Sequence, residues 1–578
     1  MKEDSIQRAR DMITAAHQKG RWATFGAYVR LSGPGWLQSA ITIGGGSLSN
    51  SLYLGVLVGF WCMWVQPLAM LLGVVMLSAI AYVALSTGEP PLRAINRHVS
   101  PVLGWGWLIA SMMANMVWSL PQYALSAGAL QQNLFPAVFG WGEHPGLFGS
   151  IQGGTIAASA IVLGIALFNV TMYNRGGSGV KLFETTIKVI IGLIVICFFG
   201  VILKVTFTEG SGLYWSEIMA GFIPDIRAFT QPAAAIAAEI AKVTPEFQYF
   251  WSDIVVSSQR DVMIGAAATA VGINMTFLLP YSMLRKGWNR DFRGLAIFDL
   301  ATGLVIPFTI ATGCVVIASA NQFHAQPAPG FLGETDDTGA LVAPAPHLVG
   351  GYLDLVDSRL MLEMDADQAE TYQNLPFEEQ ELIRAELPEA DRRMAAMLVR
   401  RDSFDLADSL APLLGTGPSK YIFGLGVVAM ALNAITMLML INGLCLCEML
   451  GKPPRGKTQF IGSLMPMVGV LGAFFWNQAQ MWLAVPTSVF AATLLPVAYL
   501  AFMLLLNQKK FMGKDIPRAG VRFVWNILMI IAVTLSAALS FWNLWSRLAY
   551  WGIAIFVGFI LTVLIESWFR KRKTQATL

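Results

Sequence analysis

The stretch ITIGGGSLSN, residues 41–50, places three consecutive glycines, Gly44, Gly45 and Gly46, inside an apolar run from Trp36 to Leu57. Each Gly in a helix interior costs about 1 kcal/mol relative to Ala. In hydrocarbon, an unwound backbone leaves N–H and C=O groups unpaired, and it is tolerated only where protein or a watery cavity surrounds it. A membrane-crossing run broken at mid-depth is therefore the mark of a discontinuous helix at a solute site. Close helix packing through small residues is the other use of glycine in membranes. Three in a row, followed by Ser47 and Asn50, favour the discontinuous helix.

The composition agrees that the solvent is lipid. Of 578 residues, 55% are hydrophobic and 13% charged, and the mean hydropathy is +0.57. Soluble domains carry about 25% charged residues. The apolar residues come in runs near the ~20 needed to cross a bilayer as a helix. Twelve spans are expected, at about 36–58, 60–86, 103–131, 150–172, 183–207, 262–285, 293–321, 420–447, 458–476, 480–506, 521–545 and 549–570. Segments after spans two, four, six, eight, ten and twelve are basic, among them RAINRH (93–98), GKPPRGK (451–457) and RKRK (570–573). Lys and Arg mark the cytoplasmic side, so both termini are expected in the cytoplasm, in a bacterial inner (plasma) membrane. Residues 1–30 lack the apolar core of a signal peptide and read as a cytoplasmic segment. The five cysteines all fall in apolar runs, which argues against a disulfide framework.

Two regions break the pattern. In residues 321–419 acids outnumber bases 18 to 6. That is too long for a plain connector and reads as a small extracytoplasmic cap, with a disordered acidic loop as the alternative. Residues 230–258 are apolar in places but carry Glu239, Lys242, Glu246 and Asp253. Charges at mid-membrane are costly, so this segment is expected outside, as an amphipathic or re-entrant element. A second break belongs in span six, where Gly272, Asn274, Thr276 and Pro280 interrupt AVGINMTFLLPYSML (270–284). Paired interrupted spans in corresponding halves point to the binding site.

With these residues in place, the chain resembles the natural resistance-associated macrophage protein (Nramp) family of divalent-metal transporters. GPGWLQSAITIGGGS (33–47) is similar to the family's first span, KLFETTIKVIIGLIVICFF (181–199) to its fifth, FDLATGLVIPFTIATGCVVIASANQFH (298–324) to its seventh, and LLNQKKFMG (505–513) to the loop after its tenth. The resemblance implies an all-α LeuT-type fold: two inverted five-helix repeats plus two extra helices, with helices 1 and 6 discontinuous. It also marks departures. The family's metal-ligating Asp falls on Gly44 and its Asn on Ser47. Its Met-Pro-His in the sixth span is replaced around Asn274, Met275 and Thr276. Its span-three acids are missing from ANMVWSLPQYALSAG (114–128).

The expected substrate-binding set is therefore Gly44, Gly45, Gly46, Ser47, Asn50, Asn274, Met275 and Thr276, with the metal ligands unknown. Hard divalent cations take oxygen ligands, usually including carboxylates, so a dehydrated divalent cation would lack a countercharge here, and a hydrated ion in a roomy polar site is the form of metal cargo left open. A glycine-rich turn at a helix N-terminus also fits an anion or zwitterion. The leading expectation is a secondary transporter moving a small ion or small molecule by alternating access. The alternatives are an anion or zwitterion transporter and a non-transporting sensor that uses the acidic cap. No enzyme motif, cofactor or nucleic-acid partner is expected. Glu184 with Lys188, Asp299, and Asn433, Thr436 and Asn442 are secondary candidates as pair, gate and cavity residues. The expected organisation is a cytoplasmic segment (1–30), spans one to five (31–208), an outer loop (209–261), spans six and seven (262–321), the acidic insertion (322–419), spans eight to twelve (420–570) and a cytoplasmic tail (571–578).

Overall fold

The computed structural model describes residues 3–32, 38–39, 41–141, 145–175, 215–336, 338–402, 415–475 and 480–576, with 185, 189, 192, 196, 199–200, 202–203, 206–207, 405 and 407. Most of the expected fifth span, with Glu184, Lys188 and Cys197, lies outside the described residues. Almost all described regular structure is helical. Among the described residues, seven helices are long and apolar enough to cross a membrane.

The main helices are α1 (Glu3–Lys19), α2 (Arg21–Leu31), α3 (Gly45–Val58), α4 (Val65–Thr87), α5 (Pro101–Ala129), α6 (Ile151–Arg175), α7 (Gln248–Ala270), α8 (Ile273–Arg285), α9 (Arg293–Leu300), α10 (Ile306–Phe323), α11 (Pro346–Leu360), α12 (Glu389–Leu398), α13 (Thr416–Met449), α14 (Ala484–Leu506) and α15 (Ala519–Ala576). Helix α15 has 58 residues with Ala549 at φ 46° inside it. At 1.5 Å per residue that is about 87 Å, far more than the ~30 Å of hydrocarbon. It is two helices meeting at a kink.

Both expected breaks are present. Helical turns at 41–42 end at Ile43, Gly44 is extended at φ −125°, ψ −177°, and α3 begins at Gly45. Helix α7 ends at Ala270, Val271 is extended at φ −140°, ψ 107°, and α8 begins at Ile273. Pro280 lies within α8, so it does not make the break. The broken helices are central. Helix α3 packs on α7, α10 and α14, and every residue of it but Gly46 is buried. A helix buried all round reads as apolar all round, which is why its sequence shows no amphipathic stripe. Gly55 lets α3 approach α10 closely, since a Cβ there would lie 2.0 Å from Ser319 Oγ and 2.6 Å from Val316 O.

The boundary expected at 261/262 does not coincide with a structural one. Helix α7 runs unbroken from Gln248 to Ala270, so residues 248–258 are continuous with the helix that leads to the second break. The physical reason is a partner for its charged end. Ile236, Ile240, Val243, Trp251 and Val255 share one buried cluster with Val356, Leu360, Tyr372, Leu387, Met394 and Met397 of the acidic insertion. The two regions that break the span pattern thus build one small unit with its own core. The segment carrying the insertion back to α13 is pinned to the helix ends beneath it. Tyr53 of α3 donates its hydroxyl to the Arg401 carbonyl, and Gln132 donates to Asp402 at 2.8 Å.

On the opposite, basic side, α1 folds back on α2. Arg10 pairs with Asp291 at 2.9 Å, and the Ser32 hydroxyl at the end of α2 donates to Asp299 of α9. Asp299 is buried. It therefore joins the end of α2, which precedes the first broken span, to α9 at the start of the seventh.

Candidate substrate site between the broken helices

The two breaks face each other across a cavity of about 50 Å³. Its walls come from the first break (Thr42, Gly44, Gly46, Ser47), the second (Gly272, Asn274, Met275), α5 (Trp118, Gln122), α7 (Thr269) and α13 (Ala434, Leu438), with Ile41 below. At 10–15 Å³ of accessible space per water, it has room for roughly four waters.

Glycine at each break has a specific task. A Cβ on Gly45 would lie 2.6 Å from Leu125 Cδ1 and 2.8 Å from Gln122 Oε1, so α5 can approach only because that side chain is missing. A Cβ on Gly272 would lie 2.3 Å from Trp118 Cη2, so the indole closes over the second break. Ser47 organises the first break. Its hydroxyl accepts from the Gly44 N–H at 3.1 Å, and it donates toward the carbonyls of Thr42 and Gly44. These are backbone groups that the interrupted helix would otherwise leave unpaired.

Asn274 carries the polarity of the cavity. It is fully buried, and both its amide oxygen and amide nitrogen lack a partner. Gln122 Oε1 is buried and unpartnered as well. Buried polar groups are nearly always hydrogen-bonded, and leaving one unmade costs about 1–3 kcal/mol. Two side-chain amides left so in one cavity leave its acceptors free for a ligand. Met275 adds a thioether, with the Thr42 hydroxyl 3.4 Å from its sulfur.

Of the expected set, Gly44, Gly46, Ser47, Asn274 and Met275 line the cavity, and three residues do not. Gly45 begins α3 beneath Gln122 and Leu125. Asn50 turns away, donating to Gly46 O at 2.8 Å and to Ser488 Oγ of α14 at 3.2 Å. Thr276 accepts from Trp107 Nε1 at 2.9 Å and donates to Ile273 O. Among the secondary candidates, Asn442 accepts from Asn115 at 2.7 Å and Thr436 from Asn169 at 3.5 Å, so both join helices.

Trp118, Gln122, Thr42 and Thr269 were not expected. Gln122 lies beside Pro121 in the acid-free stretch 114–128. A neutral amide next to a mid-span proline was the available signal. No described lining residue is ionisable, and among the described residues no three His, Cys, Asp or Glu converge as a metal site.

Comparison with known proteins gives a consistent picture. A family model described as "Natural resistance-associated macrophage protein-like" matches residues 394–546. A curated relative, "Metal transporter Nramp6.1" of Populus trichocarpa, is 27% identical over 247 residues, which are 42% of this chain and 39% of that protein. The chain thus aligns with well under half of that relative's length. Among solved structures, a mutant of the Eremococcus coleocola manganese transporter superposes with a TM-score of 0.58 at 15% identity, over 94% of each chain. The same transporter in complex with an aromatic bis-isothiourea substituted compound gives 0.58 at 16%, again over 94% of each. At that identity the likeness shows the fold, which is LeuT-type.

Proposed function

We propose that this chain, a remote member of the Nramp family, is a secondary transporter that carries a small cation in partly hydrated form through a site without formal charge. The observation that carries the proposal is the Asn274 amide, fully buried with neither end partnered at the second break. Its oxygen and Gln122 Oε1 are neutral acceptors. They suit the water shell of an ion better than the bare ion, because a stripped divalent cation wants carboxylates. Mg²⁺ in particular dehydrates reluctantly and keeps several waters. The cavity size supports an ion with part of its shell over a bulky organic solute. Alternating access would come from hinging at Gly44 and at Val271–Gly272, where no helical hydrogen bonds must break.

A second reading rests on one feature. Helices α3 and α8 both begin at this cavity, with Gly44 and Gly272 as caps that supply no side-chain bond. Uncapped N-terminal N–H groups favour an anion or carboxylate. Uptake of Mg²⁺, Mn²⁺, chloride and a zwitterionic amino acid into proteoliposomes separates the readings. We expect saturable cation entry that falls at least tenfold in Asn274→Leu and Gln122→Leu, with the protein still folded. If neither cation binds or enters, while chloride or the amino acid does, the cation reading is wrong.

A further inference from the structure

Behind the second break lies a different cavity, apolar and about 240 Å³ in volume, walled by α4, α7, α14 and α15. We infer that it holds one acyl chain of a membrane phospholipid, inserted from the side and resting against the hinge of the sixth span.

Three observations lead there. First, the pocket is open to the bilayer. Leu68 of α4 and Leu535 of α15 both line it and are 36% and 46% exposed on the outer face of the helix bundle. Hydrocarbon is the solvent on that face. An apolar cavity of about 150 Å³ already admits a benzene-sized guest, and this one is larger. Between lipid and protein there is no hydrophobic gain, but an empty void forfeits the dispersion contacts of its lining. A chain from the surrounding bilayer restores them.

Second, the pocket has a polar mark at one end. Trp64 caps the start of α4 on the insertion side and lines the pocket, and its indole N–H is buried without a partner. A buried donor calls for an acceptor. The ester carbonyl at the head of an acyl chain is one, and it brings the chain with it. From Trp64 to Leu72, the wall of α4 runs about 12 Å, a stretch the chain can follow toward the membrane interior.

Third, the far end reaches the moving part. Val271, the extended residue between α7 and α8, lines the same pocket. Its Cγ2 would lie 2.2 Å from a Cβ on Gly73, so α4 already presses on it from one side. An acyl chain would press from another and hold the hinge in the geometry seen here.

The inference does not rest on the proposed cargo, and its test does not involve transport. Full-length protein in nanodiscs receives either a phospholipid with a mid-chain diazirine or the matching free fatty acid. Cross-linked peptides are then mapped by mass spectrometry. Labelling by the phospholipid should be at least threefold higher per residue in 64–72, 263–271 and 532–539 than on the lipid-facing surface of α6. It should drop at least threefold in Ala268→Phe and Ala492→Phe, which fill the pocket from the adjoining walls of α7 and α14. Either variant suffices if the other does not fold. Uniform labelling of all lipid-facing helices in the unaltered protein overturns the proposal. So does labelling that survives the filled pocket, or equal labelling by the free fatty acid.

Discussion

Trp251 and Asp391 are separated by 140 residues in sequence and joined by a 2.7 Å hydrogen bond, the indole N–H of α7 donating to a carboxylate of the acidic insertion. Arg359 donates to the same oxygen at 2.9 Å, with side-chain exposures of 1% for Arg359 and 0% for Asp391. The bond ties the insertion to the helix that ends at the second break. Any tilt of α7 must therefore carry the insertion along or tear this contact.

Asp391→Ala should loosen the insertion. Removing one partner of a buried ion pair typically costs about 3–5 kcal/mol, and Arg359 would keep only the half-exposed Glu363 at 2.8 Å. Hydrogen exchange in Pro346–Leu360 should speed up by at least a hundredfold, while α3 and α13 keep their protection. Unchanged exchange in that helix would show that the shared apolar core holds the unit without the pair.

The glycines of the first break should respond unequally to one added methyl. Gly45→Ala puts a Cβ 2.6 Å from Leu125 Cδ1, whereas Gly46→Ala meets nothing closer than 3.7 Å. Overpacking typically costs about 1–3 kcal/mol, so a Gly45→Ala protein should melt several degrees lower and bind cargo at least tenfold more weakly. Gly46→Ala should stay near the unaltered protein in both. Equal behaviour of the two would contradict the close approach of α5 to the break.

How much of this was legible follows from the kind of signal each part leaves. The breaks were readable because glycine triplets and a Gly-x-Asn turn are costly in lipid and need a reason. The end of α7 was not. Asp253 within α7 and Glu246 just before it read as an amphipathic or re-entrant element, because the partner surface, some hundred residues downstream, is invisible to a window of local hydropathy. Among site residues, Gly44, Gly46, Ser47, Asn274 and Met275 lie where the breaks put them. Asn50 and Thr276 are polar residues beside the breaks, but helical rotation turns them toward α14 and α5. Gln122 carries no charge, so an expectation of acids in the third span does not single it out, and the described cavity lining is neutral.

The insertion should also respond to pH. His347 of α11 lies 3.0 Å from Asp405, with side-chain exposures of 8% and 12%. Burial alone would lower the imidazole pKa, but the Asp405 carboxylate, helped by Asp402 and opposed by Arg401, raises it above the ordinary 6.5. Burial would raise Asp405, but His347 and Arg401 hold it below the ordinary 3.8. A raised histidine contributes stability that is full below 6.5 and is lost as pH rises through its folded value. A depressed carboxylate contributes stability that is full above 3.8 and is lost as pH falls. Exchange protection around Pro346 should therefore be highest between the ordinary values of 3.8 and 6.5 and decline as pH rises above 6.5. In His347→Phe the alkaline decline should vanish. A decline that persists in that variant would assign it to another group.

A carboxylate added at the first break tests the neutral site from the opposite direction. Gly44 has φ −125°, open to any residue. A Cβ there meets the Ile41 carbonyl at 3.2 Å and Ala434 Cβ at 3.7 Å, so the backbone must yield by only a few tenths of an ångström. In Gly44→Asp the new carboxylate would join Asn274 Oδ1, Gln122 Oε1 and the Met275 sulfur around one cavity. That set supplies the charge a dehydrated transition metal needs, with a soft donor beside it. Isothermal titration should show Mn²⁺ binding at least tenfold tighter than in the unaltered protein, about 1.4 kcal/mol. The gain should be smaller for Mg²⁺, which keeps its waters and has no use for sulfur. A folded Gly44→Asp protein with unchanged Mn²⁺ affinity would mean that residue 44 does not face the bound ion, and the cation site would have to be sought away from the first break.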